Sequence, residues 1–191
     1  DSTLDQLGLL QTQIVSAFNS VHAQGIDLNG QPGSNFFTAV NERSLTLDRV
    51  SAGSSNADDS SVVSVTIEQP AQLTASQYTL RLSDAAGLLG YELVRDDDGA
   101  VIGSGAVPNS FPQTLTLTDG FRINLESGGF QAGDEFNIRP ARVQSGATSL
   151  LLRSPESLAL SVPISTASAA GNLGQGVIEQ VQGVTVGPLS E

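Results

Sequence analysis

The sequence predicts a mainly β, α+β fold: one N-terminal amphipathic helix followed by an antiparallel, hairpin-rich β-domain. Three observations support this. Apolar residues recur at three- and four-residue steps from Leu4 to Val21, the pattern beyond Asn41 alternates with a period of two, and Gly- and Asp-containing turn signals punctuate the alternating runs.

The helix stripe is Leu4, Leu7, Leu10, Ile14, Phe18 and Val21. Ser2 or Thr3 can cap its N-terminus, with Asp5 or Gln6 completing a capping box and meeting the positive end of the dipole. Gly25 follows as the residue expected to take a left-handed conformation after the last turn. Such a stripe needs a partner surface, either the β-rich body or other helices.

Beyond the helix, "VVSVTI" (Val62 to Ile67) and "QYTLRL" (Gln77 to Leu82) read as half-buried strands, with Tyr78, Leu80 and Leu82 on one face. A hairpin is expected in "YELVRDDDGAVIGSG", turning at Asp98-Gly99. A second is expected in "GFRINLESGGFQAGDEFNIRP", with Phe121, Ile123 and Leu125 alternating before Gly128-Gly129 and Phe136 and Ile138 after it. Pro140 ends that pairing because it has no N–H to donate. The acidic, serine-rich stretch Ser51 to Ser61 reads as a mobile loop. "SLLLRSPESLALSVPI" admits a strand or a short helix with Pro155 near its start. The last stretch reads as a linker leading to an alternating run from Val177 to Val186.

Composition narrows the function. Eight basic residues against twenty acidic ones leave a formal charge of -12, which repels phosphate backbones and anionic membrane surfaces and makes nucleic acid and membrane unsuitable partners. There is no cysteine, so neither disulfides nor a thiolate zinc site is available. A length of 191 residues suits one large domain, or one domain plus part of another. The chain opens at Asp1 without a methionine or a signal-like segment, and reads as a piece of a longer protein. No Asn-x-Ser/Thr sequon occurs, which disfavours a glycosylated surface domain.

Candidate chemistry is sparse. His22 is the sole histidine, in the last turn of the predicted helix where the dipole favours a cation, and nothing near it in sequence supplies a nucleophile or an orienting acid. "GIDLNGQPGSNFF", from Gly25 to Phe37, sets Asp27 and Asn29 before a glycine as calcium loops do. Counted from Asp27, however, the fifth and sixth positions are Gln31 and Pro32 and the twelfth is Thr38, so an EF-hand register fails. Asp27 and Asn29 are better read as turn residues bonding local backbone N–H groups. Asp96, Asp97 and Asp98 alternate in direction and end in a turn, and Asp58-Asp59 suits a solvated loop. No catalytic, cofactor or metal residue is therefore assigned, and no enzyme activity is expected.

The run "LGLLQTQIVSAFNSVHAQGIDLNGQPGSNFF" resembles the family of the first flagellar hook-associated protein, the hook-filament junction protein. The matching positions are Phe18, Asn19, His22, Gly25, Asp27, Asn29, Gly30, Gly33, Phe36 and Phe37. "ASQYTLRL", "ESLALSVPI" followed by "GNLGQG", and the closing strand with Gly133, Asp134, Phe136 and Pro140 resemble the same family's outer β-domain and the exit from it. The resemblance implies that residues 1–40 are the tail of a helical core domain, 41–163 an outer β-domain, and 164–191 a linker and the start of a further strand or domain. It implies a structural adaptor of the bacterial flagellum, extracellular, exported through the flagellar type III channel, and needed for filament assembly. Its partners would be other copies, the hook protein and the next hook-associated protein, with this piece alone monomeric. The competing reading, from a different class, is a secreted β-sandwich adhesin or carbohydrate-binding module. That reading requires an exposed aromatic platform or an acidic calcium cluster, and aromatics make up only 5% of the chain, without tryptophan.

Overall fold

The computed structural model describes residues 2–161, apart from 117, 118 and 145. The expected linker and the alternating run from Val177 to Val186 lie outside the described residues.

The chain is mainly β with an N-terminal helix, as the periodicities predict. Helix α1 spans Ser2–Gln24 and a short α2 spans Arg43–Asp48. The strands are β1 Val50–Ala52, β2 Val62–Ile67, β3 Tyr78–Ala85, β4 Leu88–Arg95, β5 Val101–Val107, β6 Gln113–Thr116, β7 Phe121–Ser127 and β8 Glu135–Ile138. They form two antiparallel sheets, β1-β8-β3-β4-β5 and β2-β7-β6. The alternating residues of both sheets share one core. Tyr78, Leu80 and Leu82 of β3 and Phe136 and Ile138 of β8 belong to one side, and Val65 of β2 with Phe121, Ile123 and Leu125 of β7 to the other. Register puts like with like, Leu80 opposite Phe136 and Val65 opposite Ile123, so each strand's apolar set lands on the same face.

The two hairpin expectations divide. The β4/β5 pair forms, with Leu93 opposite Gly103. Its turn is longer than a two-residue Asp98-Gly99 link: only Gly99 has a positive φ, 69°, and Arg95 and Ala100 close the loop with a bond of 2.8 Å. The second hairpin does not exist. β7 pairs with β2 and β6, whereas β8 pairs with β1 and β3 in the other sheet. The connection from Gly128 to Asp134 crosses between sheets because Phe130 is drawn into the core against Phe111 and Phe136, with centroids at 4.6 Å and 6.0 Å. Asp134, itself buried, fixes the corner by accepting the N–H groups of Ala57 and Gln131.

Two features have weak sequence signals. The hairpin β3/β4 turns on Ala86 and Gly87, with φ of 55° and 87°. Helix α2 is too short for periodicity to show, yet it buries Leu45 and Thr46. The serine-rich loop is stapled to the sheet-crossing connection: Asn56 bonds both the N–H and the C=O of Glu135, and Asp58 accepts the N–H of Gly129. Arg49 is buried and donates to the carbonyls of Val65 and Val40, and burial, countered in part by the charge of Asp48, pulls its guanidinium down to about 10.

Candidate functional site

Helix α1 turns its polar side inward. Asp5, Gly8, Thr12, Val15 and His22 are buried, on a face about a third of a turn round the helix from the centre of the apolar stripe. Asp5 receives an ion pair from Arg139 at 2.7 Å and a hydrogen bond from Gln77 at 2.9 Å. The helix begins at Ser2, two residues before the stripe, so Ser2 and Thr3 lie within it and Asp5 serves the contact with the body instead of a capping box. At Gly8 the helix touches the chain so closely that an added Cβ would lie 1.9 Å from the carbonyl oxygen of Ala141. The Gln11 side chain clasps the Gln144 backbone with two hydrogen bonds of 3.2 Å, Nε2 donating to its C=O and Oε1 accepting its N–H.

The stripe itself stays in solvent. Leu4, Leu7, Leu10, Ile14, Phe18 and Val21 are between 43% and 69% exposed, although they define the helix in the sequence. At its C-terminal end the stripe runs into an apolar groove of about 290 Å³, walled by Ala17, Phe18, Val21, Phe36, Leu158 and Leu160. Among the described residues the helix thus buries polar groups and leaves its leucines exposed as one apolar face.

The neck beside the groove is where the chain enters and leaves the β-body. Ile26 pairs with Ser161, and Phe37 with Leu150, both antiparallel. His22 locks the two passes to the helix: Nε2 accepts the N–H of Ala159 at 2.9 Å, so Nδ1 carries the proton and donates to the Ser34 carbonyl at 2.6 Å. It is thus a buried strut between helix and chain. Asn19 clasps Phe37 in the same manner, accepting its N–H at 2.8 Å and donating to its C=O at 3.0 Å. Phe36 and Phe37 meet edge-on with centroids at 4.8 Å and both contact Phe18, forming a small aromatic cluster on the helix.

Gly25 and Gly33 are in the neck for space, not for left-handed φ. Neither has a positive φ; an added Cβ would lie 2.2 Å from the Ala159 carbonyl oxygen and 1.9 Å from that of His22, respectively. Between them Asp27 Oδ1 accepts the N–H groups of Asn29 and Gln31, both at 2.8 Å, and Gly30 turns the chain with φ of 77°. Those bonds, that from Gln31 foremost, hold the Asp27 carboxyl below its ordinary range. The structure thus uses Asp27 as a turn residue, as its spacing implies.

The other acidic candidates are dispersed. Asp98 pairs with Arg95 and accepts the Ala100 N–H, Asp96 receives the Thr79 hydroxyl, and Asp58 binds Ser60 and Gly129. Among the described residues no group of three or more His, Asp or Glu is placed to hold a metal ion. No helix among them is long and apolar enough to cross a membrane.

Residues 1–37, the helix and the neck turn, match the family model of the helical domain of the flagellar hook-associated protein FlgK. The flagellar hook junction protein FlgK of Burkholderia pseudomallei superposes with a TM-score of 0.68 at 31% identity over 93% of this chain. The chain belongs to the FlgK family. It spans 30% of the length of the Burkholderia FlgK. The flagellar junction protein FlgL of Legionella pneumophila shows 17% identity over 63% of this chain and 34% of its own, with a TM-score of 0.39, a level from which no shared fold is inferred. No curated protein matches by sequence. The FlgK likeness covers Asn19 and His22, whose roles in the neck sequence reasoning missed. Their signal was present: two polar residues three apart, beside an apolar stripe, on a helix otherwise expected to hide its leucines.

Proposed function

We propose that this chain is part of a structural, non-enzymatic component of the bacterial flagellum, the adaptor at the hook-filament junction on which filament assembly depends. The observation that carries the reading is the inverted helix. Its polar face is committed to the β-body by Asp5 and Gln11 and to the neck by Asn19, which leaves the exposed face with Leu7, Leu10 and Ile14 free for a helical core. The similar Burkholderia protein, described as a hook junction protein, supports it.

In this reading residues 1–40 close a helical core domain, 41–163 form the outer β-domain, and 164–191 lead toward a further domain. The neck joins core to outer domain through two antiparallel passes, so load between them crosses paired backbone instead of a single tether. Partners are further copies, the hook protein and the next hook-associated protein, and the location is outside the cell after export by the flagellar type III route. By itself the piece is monomeric. The test is co-assembly of the full-length protein containing this chain with hook and filament subunits. Filaments should grow on hooks only in its presence, and failure to bind either subunit overturns the proposal.

A further inference from the structure

The turn in the neck contains the sole Asn-Gly dipeptide of the chain, Asn29-Gly30. Asn29 is exposed, and Gly30 has φ of 77° with nothing within 4 Å of where a Cβ would stand. A side chain on residue 30 would ordinarily obstruct attack by its backbone nitrogen on the preceding amide; glycine offers no such obstruction. We propose that Asn29 is a spontaneous modification site, converting through a cyclic imide to aspartate and isoaspartate, and that Asp27 is the brake on that conversion.

The chemistry needs only water. The deprotonated backbone nitrogen of Gly30 attacks Asn29 Cγ, the Cγ–Nδ2 bond breaks and ammonia leaves with the proton. Water then opens the five-membered imide at either carbonyl, giving aspartate or its isomer with the backbone routed through the side chain. The net change is loss of ammonia and gain of water.

Asp27 opposes each requirement. Its carbonyl accepts the N–H of Gly30 at 3.1 Å, the proton that must leave for attack. Its Oδ1 holds the N–H groups of Asn29 and Gln31 on either side, and its Oδ2 lies 3.4 Å from the Asn29 amide nitrogen. The carboxylate also places negative charge beside a nitrogen that must become anionic. Isoaspartate adds a methylene to a turn whose flanks, Ile26 with Ser161 and Gly33 with Gly25, are hydrogen-bonded, so its formation loosens the neck. This inference is independent of the junction role.

The protein is incubated in warm, mildly alkaline buffer, and the peptide ending at Arg43 is followed for the amide-to-acid mass change and for labelling by an isoaspartyl methyltransferase. Asp27→Ala should convert about tenfold faster than wild type, the effect of removing turn bonds to a charged acceptor. Asp27→Asn, which keeps an acceptor for both amides and so preserves the turn, should also convert faster than wild type, and Asn29→Gln should give no isoaspartate there. An amide at position 29 that persists in all forms, or Asp27 variants no faster than wild type, overturns the proposal.

Discussion

His22 Nε2 accepts the backbone N–H of Ala159 at 2.9 Å, across 137 residues of sequence. The bond joins the end of α1 to the chain leaving the β-body, and the Nδ1 bond to Ser34 joins it to the chain entering. One side chain therefore spans three segments. His22→Ala leaves a buried N–H and a carbonyl without their partner and should cost about 2 to 4 kcal/mol, at roughly 1 to 3 per orphaned buried group, partly relieved by water. His22→Gln retains an oxygen near the Nε2 position and should cost less. Denaturant titration gives the stabilities, and hydrogen exchange should show the Ala159 amide losing protection first.

Gly8 reverses the ordinary effect of glycine in a helix. Replacing a helical glycine by alanine usually stabilises by about 1 kcal/mol. Here the new methyl would sit 1.9 Å from the Ala141 carbonyl oxygen and 2.6 Å from the Val143 nitrogen, both backbone atoms. Helix and body must separate, straining the Asp5–Arg139 pair a turn away. Gly8→Ala should lower the thermal midpoint, and a rise would show that this contact is looser than the structure has it.

Ala86 occupies the first position of the β3/β4 turn with φ of 55°, where a Cβ is disfavoured. Asparagine tolerates that conformation, and Asn-Gly is the preferred pair for such two-residue turns. Ala86→Asn should therefore stabilise by roughly 0.5 to 1 kcal/mol, read as a higher denaturant midpoint with an unchanged slope. No change would place the strain elsewhere.

Tyr78 is buried, and burial, countered in part by Thr74 and reinforced by the Asp119 carboxylate, pushes its phenol up to about 12. Because the folded value lies above the ordinary 10.0, the stability it contributes is complete below pH 10.0 and is lost as pH rises toward 12. A Tyr91→Phe variant isolates Tyr78, since the chain has two tyrosines. Its phenolate absorbance should appear near pH 12, together with unfolding. Ionisation near 10.0 in the folded protein would mean that the phenol is not enclosed.

The legible parts of the fold were those governed by local pattern. Period-two runs located β2, β3 and β7, because each has one face on the core. The Asp27 turn was legible because its bonds are two and four residues long. What failed was pairing at a distance. Nothing local says that Phe130 enters the core and sends β8 to the other sheet, or that Ala86-Gly87, a weak turn signal, closes a hairpin. The helix was found by its leucines, yet the face that positions it is marked by Asp5, Gly8 and His22, whose partners lie far along the chain.

That separation of roles on α1 yields a paired prediction. Leu7 and Ile14 are exposed, whereas Val15, one residue from Ile14, is fully buried. If the stripe plays no part in this fold, Leu7→Gln and Ile14→Gln should each change stability by less than about 0.5 kcal/mol, while Val15→Ala should cost about 1 to 2. The same Gln variants, placed in the full-length protein, should abolish or weaken helical-core assembly, because each puts an amide where a leucine-sized group must be buried. Thermal melts of the single variants and filament growth in cells read the two halves separately. A large stability loss at Leu7 or Ile14 would return the stripe to this chain's own core and remove the structural basis for the junction role.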